Sequence, residues 1–189
     1  MKDLVVLHGG SLNGVIGIPG DKSISHRAVM FGAIADGLTQ VRGCLMGEDV
    51  LATIEAFRSM GVEIDTRDQD CVKISGAGLL GLRSPTSSIN LGNSGTSMRL
   101  LAGILSGANI DTTLEGDASL SVRPMGRIGC PLRQMGANSE MSGNKTPPLR
   151  VKPARKLTGI SYLVPVISAQ VKSGLLLAGL YADGVTRIS

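Results

Sequence analysis

The chain has 189 residues, 42% hydrophobic and 18% charged, with a formal charge of +4, 26 glycines and only 2% aromatics, none of them Trp. This is enough for one sizeable core, or one domain plus part of another, and the balance excludes a disordered chain. Three dispersed cysteines without a CxxC pair, only two histidines and no unbroken apolar run of membrane length argue against a disulfide scaffold, a metal site and a membrane span. Met1-Lys2-Asp3 leads into a short strand-like run rather than a signal peptide, so a reducing cytoplasm is the expected compartment. The densest basic stretch, Arg150, Lys152, Arg155 and Lys156, is interrupted by proline and free of aromatics. It reads as an exposed strand-loop, not a nucleic-acid surface.

In chain order, Val15-Ile16-Gly17-Ile18 alternates like a strand, and the loop Pro19-Gly20-Asp21-Lys22-Ser23 follows. A helix is predicted over about 24–35, with a stop at Asp36-Gly37. Leu38–Val41 reads as a strand, 49–60 as a second helix ending at Gly61, and Val62–Asp65 with Cys71–Ser75 as a hairpin. The order then returns. Ser88–Leu91 is strand-like, 92–96 is the loop, 97–105 is helical with Gly107 as its stop, and Asp111–Glu115 is a strand. A helix from about Pro124 ends at Met135-Gly136, as the earlier one ends at Met60-Gly61, and 138–141 with 149–152 make the next hairpin. A third round begins with the strand Tyr162–Val166, the loop 167–170 and the helix 171–181. It stops at Ala182-Asp183-Gly184, as the first stops at Ala35-Asp36-Gly37. The repeat is too long for a solenoid of single hairpins and suits a βαβαββ unit, which the third round leaves unfinished. The chain therefore reads as a fragment.

All three first helices start straight after a loop rich in Gly or Ser. Helix starts carry unpaired N–H groups and partial positive charge, so three of them brought to one cleft would hold phosphate and carboxylate groups. In Gly20–Arg27, Ser23 or Ser25 can cap the helix; Lys22 precedes it, and Arg27 falls on the face of Ser23, an oxyanion set of hydroxyl, ammonium and guanidinium. The segment is not a P-loop, since GxxxxGK[ST] is absent. In Asn93–Arg99, Gly95 lets the backbone approach a ligand, with Thr96 or Ser94 as cap. Arg123 precedes Pro124, which can start a helix. Ser168 is a cap candidate at the third start, and Gln170 can hydrogen-bond a neutral part of a substrate. Val171, Leu175 and Ala178 face the core and Lys172 points away; Met60, Met98, Met125 and Met135 are core residues.

Taken together, GDKSISHR, LGNSGTSMRLL, GDASLSVRPM and SAQVKSGLLLAGLYADG resemble, in order and spacing, the motifs of the enolpyruvyl transferases of the shikimate pathway, the 5-enolpyruvylshikimate-3-phosphate synthase family. The resemblance runs along essentially the whole chain. It implies an inside-out α/β barrel of repeated βαβαββ units, truncated here in the third unit, with residues 1–17 belonging to an otherwise missing second domain and 18–189 forming an incomplete substrate-binding domain. It further implies transfer of the enolpyruvyl group of phosphoenolpyruvate to the 5-hydroxyl of shikimate 3-phosphate, through a tetrahedral intermediate, with phosphate released. Lys22 would be catalytic and touch both substrates. Ser23, Arg27, Ser168, Ala169 (through its N–H) and Gln170 would bind shikimate 3-phosphate. Asn93, Gly95, Arg123 and Gln170 would bind phosphoenolpyruvate. The resemblance implies no metal and no organic cofactor, a monomer at full length, and small anionic substrates rather than nucleic acid or membrane. The family's acid–base carboxylates lie in its second half, so this chain alone is expected not to turn over.

Three alternatives stand beside it. The sister transferase acting on UDP-N-acetylglucosamine carries a reactive Cys or Asp five residues before its Arg-Pro dipeptide, where this chain has Ala118. An RNA 3′-phosphate cyclase uses similar repeats, but the few aromatics and weak basic clustering count against it. A non-catalytic substrate-binding fragment is compatible with the family itself.

Overall fold

The computed structural model describes residues 4–68 and 70–189. The first repeat comprises helix α1 (Lys22–Ile34), strand β1 (Asp36–Arg42), helix α2 (Glu48–Ser59) and strands β2 (Glu63–Asp65) and β3 (Cys71–Ala77). The second comprises β4 (Ile89–Asn90), α3 (Gly95–Gly107), β5 (Thr112–Glu115), the single turn α4 (Ala118–Ser121), α5 (Gly126–Gln134), β6 (Asn138–Met141) and β7 (Leu149–Lys152). The third comprises β8 (Leu157–Thr158), β9 (Ser161–Tyr162), α6 (Ala169–Gly179), β10 (Ala182–Asp183) and β11 (Arg187–Ile188).

The sheets follow the repeat. In the first, β3 lies between β1 and β2, antiparallel to both. In the second, β4 joins β5 in parallel and β5, β7 and β6 continue antiparallel. In the third, β8 pairs with β10 and β9 with β11, both parallel. Helix α2 packs against α1 and α3, while α5 packs against α3 and α6, so each second helix wedges between two first helices. Their apolar faces share one core with Phe57, Met60, Met98, Leu101, Met125, Met135 and Leu175, all wholly buried. Helices α3 and α6 touch backbone to backbone. A Cβ on Gly174 would stand 2.6 Å from the Arg99 carbonyl oxygen, so only glycine admits this approach.

The expected hairpins and second helices stand within a residue or two of their predicted places. Gly61 and Gly136, both at positive φ, close α2 and α5 as the repeated Met-Gly pairs require. Several expectations change. Residues 15–18 form no strand, because no neighbour among the described residues offers them a ladder, and Val15, Ile16 and Ile18 are exposed. Of the run expected from Met1, residues 1–3 lie outside the described residues, and 4–17 carry neither helix nor strand. Asp36-Gly37 and Ala182-Asp183 are not helix stops but the first residues of β1 and β10; α1 ends at Ile34 and α6 at Gly179. Gly107 closes the last turn of α3 from within the helix. The third first-strand shrinks to Ser161–Tyr162, since Pro165 has no N–H to give a ladder. Pro124 does not open a helix: α5 starts two residues later, and the unpredicted turn α4 precedes it, capped by the Asp117 carboxylate accepting from the Leu120 N–H at 2.7 Å. The basic stretch is largely neutralised, with Arg150 paired to Asp111, Lys152 to Glu140 and Lys156 to Asp183. No helix among the described residues is long and apolar enough to cross a membrane.

Candidate functional site

The three first helices are capped by side chains from their loops. At α1 the cap is Asp21, neither Ser23 nor Ser25: its Oδ1 accepts from the Ile24 N–H at 2.8 Å. Ser25 instead turns inward, donating to the Asp21 carbonyl at 2.8 Å and accepting from the Leu45 N–H at 2.9 Å. At α3 the cap is Ser94, whose Oγ accepts from the Ser97 N–H at 3.2 Å, and at α6 it is Ser168, accepting from the Val171 N–H at 3.3 Å. Each start leaves further N–H groups without an intrahelical partner.

Side chains tie these starts together pairwise. Between α1 and α3, Thr53 of α2 places its hydroxyl 2.9 Å from His26 Nδ1 and 2.7 Å from Ser97 Oγ, and Ser97 is in turn 2.6 Å from Ser94 Oγ. Between α3 and α6, Gln170 donates to Thr96 Oγ1 at 2.9 Å and accepts from Arg99 at 2.8 Å. Between α6 and α1, Arg27 donates to Ser173 Oγ at 2.8 Å and to the Ser23 carbonyl at 3.0 Å. The three bridges close a ring, and the starts form one polar face lined with cations.

That face holds the residues on which the motifs converge. The family model for EPSP synthase (3-phosphoshikimate 1-carboxyvinyltransferase) matches residues 6–189. The chain belongs to the EPSP synthase family. A 3-phosphoshikimate 1-carboxyvinyltransferase of Methylococcus capsulatus is 56% identical over 190 residues, covering 100% of this chain and 44% of that protein. One from Alkalilimnicola ehrlichii is 57% identical, with 96% of this chain and 41% of that protein covered. A solved EPSP synthase of Acinetobacter baumannii superposes with a TM-score of 0.90 at 55% identity, covering 93% of this chain and 40% of its own. The chain thus spans about two fifths of the length of these relatives, and its α/β architecture is that of the family.

On this polar face, Lys22 occupies the first position of α1, not the loop before it, and forms an ion pair with Asp49 at the start of α2. Arg27 does lie over Ser23, as its spacing predicts. Gly95 is buried between two guanidinium groups: a Cβ there would stand 2.7 Å from Arg99 Nη1 and 3.3 Å from Arg123 Nη1. Arg123 donates to Asn93 Oδ1, and to Ser119 Oγ at 3.3 Å, which joins the α4 turn to the α3 loop. Ala169 is the exposed first residue of α6, presenting a helix-start N–H. Gln170 sits on the same first turn, because α6 starts two residues earlier than the predicted helix.

Sequence reading missed Asp49, Thr53, Ser97, Arg99 and Ser173. Ser97, Arg99 and Ser173 stand in the quoted motifs, but their partners Thr53, Gln170 and Arg27 come from other repeats, which no local spacing announces. Burial depresses the pKa of Arg99, and the neighbouring charges of Arg123 and Arg127 depress it further. Burial likewise brings His26 down to about 4; Asp49 partly opposes this, and Lys22 and Arg27 add to it. His26 is therefore neutral near pH 7 inside a strongly cationic face. Among the described residues no group of three or more His, Cys, Asp or Glu side chains could hold a metal ion. A cavity of about 730 Å³ lies at the opposite ends of α3 and α6, between Ser106–Asn109 and Leu180–Tyr181, away from this face.

Proposed function

We propose that this chain supplies the half of a cleft in which the enolpyruvyl group of phosphoenolpyruvate passes to the 5-hydroxyl of shikimate 3-phosphate, with inorganic phosphate leaving. The observation that carries the reading is the ring of three capped helix starts surrounded by Lys22, Arg27, Arg99 and Arg123, a surface built for two multiply charged anions held side by side. Lys22 reaches both substrates, drawing on an ammonium now shared with Asp49. Ser23 and Arg27 take the carboxylate side of shikimate 3-phosphate; Ser168 and the Ala169 N–H take its phosphate. Gly95 and Arg123 receive phosphoenolpyruvate, with Asn93 holding Arg123 in place and Gln170 between the two substrates. In forming the tetrahedral intermediate the 5-hydroxyl gives up its proton as its oxygen bonds to C2 of phosphoenolpyruvate, the C2–C3 double bond becomes single, and C3 gains a proton. Its collapse returns a proton from C3 and breaks the C–O bond to phosphate. The cations of this chain stabilise the phosphate oxygens throughout. The groups that move those protons belong to the remainder of the relatives' length, and residues 1–17 belong with the domain carrying them.

Calorimetric titration of the chain with shikimate 3-phosphate, beside an Arg27→Ala control, tests the reading. Saturable binding that the control loses is the expected result. A chain that is folded by circular dichroism yet binds neither shikimate 3-phosphate nor phosphoenolpyruvate at millimolar concentration overturns the claim that these helix starts suffice for a substrate site. UDP-N-acetylglucosamine in the same cell distinguishes the sister reaction.

A further inference from the structure

We infer that Arg99 is a positioning residue for Gln170, and that it makes position 170 a hydrogen-bond donor toward the cleft. An arginine offers only N–H donors, so the carboxamide atom facing it at 2.8 Å has to be the oxygen. A flipped amide would set two donor groups against each other. With Oε1 taken, Nε2 turns to the other side, where one of its two hydrogens goes to Thr96 Oγ1 at 2.9 Å. The second has no protein acceptor among the described residues. Because Thr96 Oγ1 accepts from Gln170, its own hydroxyl proton is also left to donate. A ligand oxygen entering between α3 and α6 therefore meets two neutral donors beside the α3 start.

Arg99 is held for this task. Nη1 also donates to the Gly95 carbonyl at 3.1 Å, and Nη2 to the Pro124 carbonyl at 3.3 Å, so the guanidinium plane is pinned by the α3 start, the α6 start and the loop before α5. All of these acceptors are neutral. The cation is half-buried, has Arg123 and Arg127 for neighbours, and makes no ion pair among the described residues. A structural clamp needs no charge here, whereas a clamp at the edge of an anion site gains from one. The ligand class that fits is an oxyanion, and this part of the inference rests on the anion-cleft reading above.

The test uses the ¹⁵N-labelled chain with Arg99→Met, Arg99→Lys and Gln170→Glu. Loss of one side-chain amide pair in Gln170→Glu assigns the Gln170 resonances. Arg99→Met is expected to shift that pair and speed its exchange with solvent, and Arg99→Lys, which keeps one donor for Oε1, to restore much of the original signal. Titrated with phosphoenolpyruvate, Arg99→Met should bind about tenfold more weakly. Gln170→Glu, which preserves the Arg99 contact but replaces the donor with a carboxylate, should not bind. An unchanged Gln170 amide pair in Arg99→Met overturns the positioning role whatever the titration gives. Absence of binding in the unsubstituted chain, with the amide shifts as expected, overturns the anion-cleft reading and leaves the positioning role standing. Should Arg99→Met fail to fold, the unsubstituted chain decides: a Gln170 side-chain amide pair that exchanges with solvent as fast as that of an exposed glutamine sinks the inference.

Discussion

Arg27 and Ser173 stand 146 residues apart and are joined by a 2.8 Å hydrogen bond from the guanidinium to the hydroxyl, which ties the first repeat to the third. Arg27 is the cation that the family resemblance implies for shikimate 3-phosphate, and it is oriented by this bond and by the Ser23 carbonyl. Ser173→Ala is expected to lower affinity for shikimate 3-phosphate by no more than about threefold, because the Ser23 contact remains. Arg27→Ala should lower it by about tenfold or more. Isothermal titration of both variants checks the ratio, and equal losses would mean that the bridge, not the charge, holds the ligand.

His26 makes stability depend on pH. Its imidazole is fully buried and its pKa lies at about 4 instead of 6.5, so the unfolded chain takes up a proton that the folded chain refuses. The contribution is intact above pH 6.5 and is lost as pH falls through about 4, by about 3 kcal/mol in total. Urea denaturation between pH 7 and pH 4 should show the loss, and His26→Gln should flatten the curve over that interval. A variant with the same slope as the parent would assign the effect to other groups.

Gly95→Ala separates binding from stability. The added Cβ meets the tips of Arg99 at 2.7 Å and of Arg123 at 3.3 Å, both flexible ends that can swing aside. Unfolding free energy is expected to change by less than about 1 kcal/mol, while phosphoenolpyruvate affinity falls as both guanidinium groups leave their positions. A variant that melts much lower but binds normally would contradict this.

Gly174→Ala should do the opposite. Its Cβ would meet the Arg99 carbonyl oxygen at 2.6 Å and Ile128 Cδ1 at 2.9 Å, and the carbonyl belongs to a helix backbone that cannot yield. Destabilisation of about 1–3 kcal/mol is expected, read as a lower urea midpoint. Trimming Ile128 to Val in the same chain should not restore it, since the backbone contact remains.

What the sequence disclosed follows from locality. The Met-Gly helix ends, the hairpins at 138–141 and 149–152, and the Ser94 and Ser168 caps are each decided within a few residues, and each is where the pattern puts it. The motif residues Lys22, Arg27, Asn93, Gly95, Arg123 and Gln170 do gather at the helix starts. The misses share a cause. Residues 15–18 have strand character but no ladder partner, and Asp36 and Ala182 follow helices yet are captured by strands from distant parts of their sheets. Asp21 won the α1 cap over Ser23 and Ser25 because Ser25 is drawn inward to the Leu45 N–H. Thr53 and Arg99 act through partners in other repeats, invisible to any window along the chain.

The ring of bridges also bears on how such a chain can change over time. Each bridge takes its members from different repeats: His26 and Thr53 with Ser97, Thr96 and Arg99 with Gln170, Arg27 with Ser173. Although the three units share one plan, none can drift alone at these positions, because a substitution in one leaves an unmatched donor or acceptor in the next. Divergence between the repeats is thereby recorded as pairs of residues that vary together among homologues, and those pairs should join positions far apart in the chain but adjacent at the helix starts.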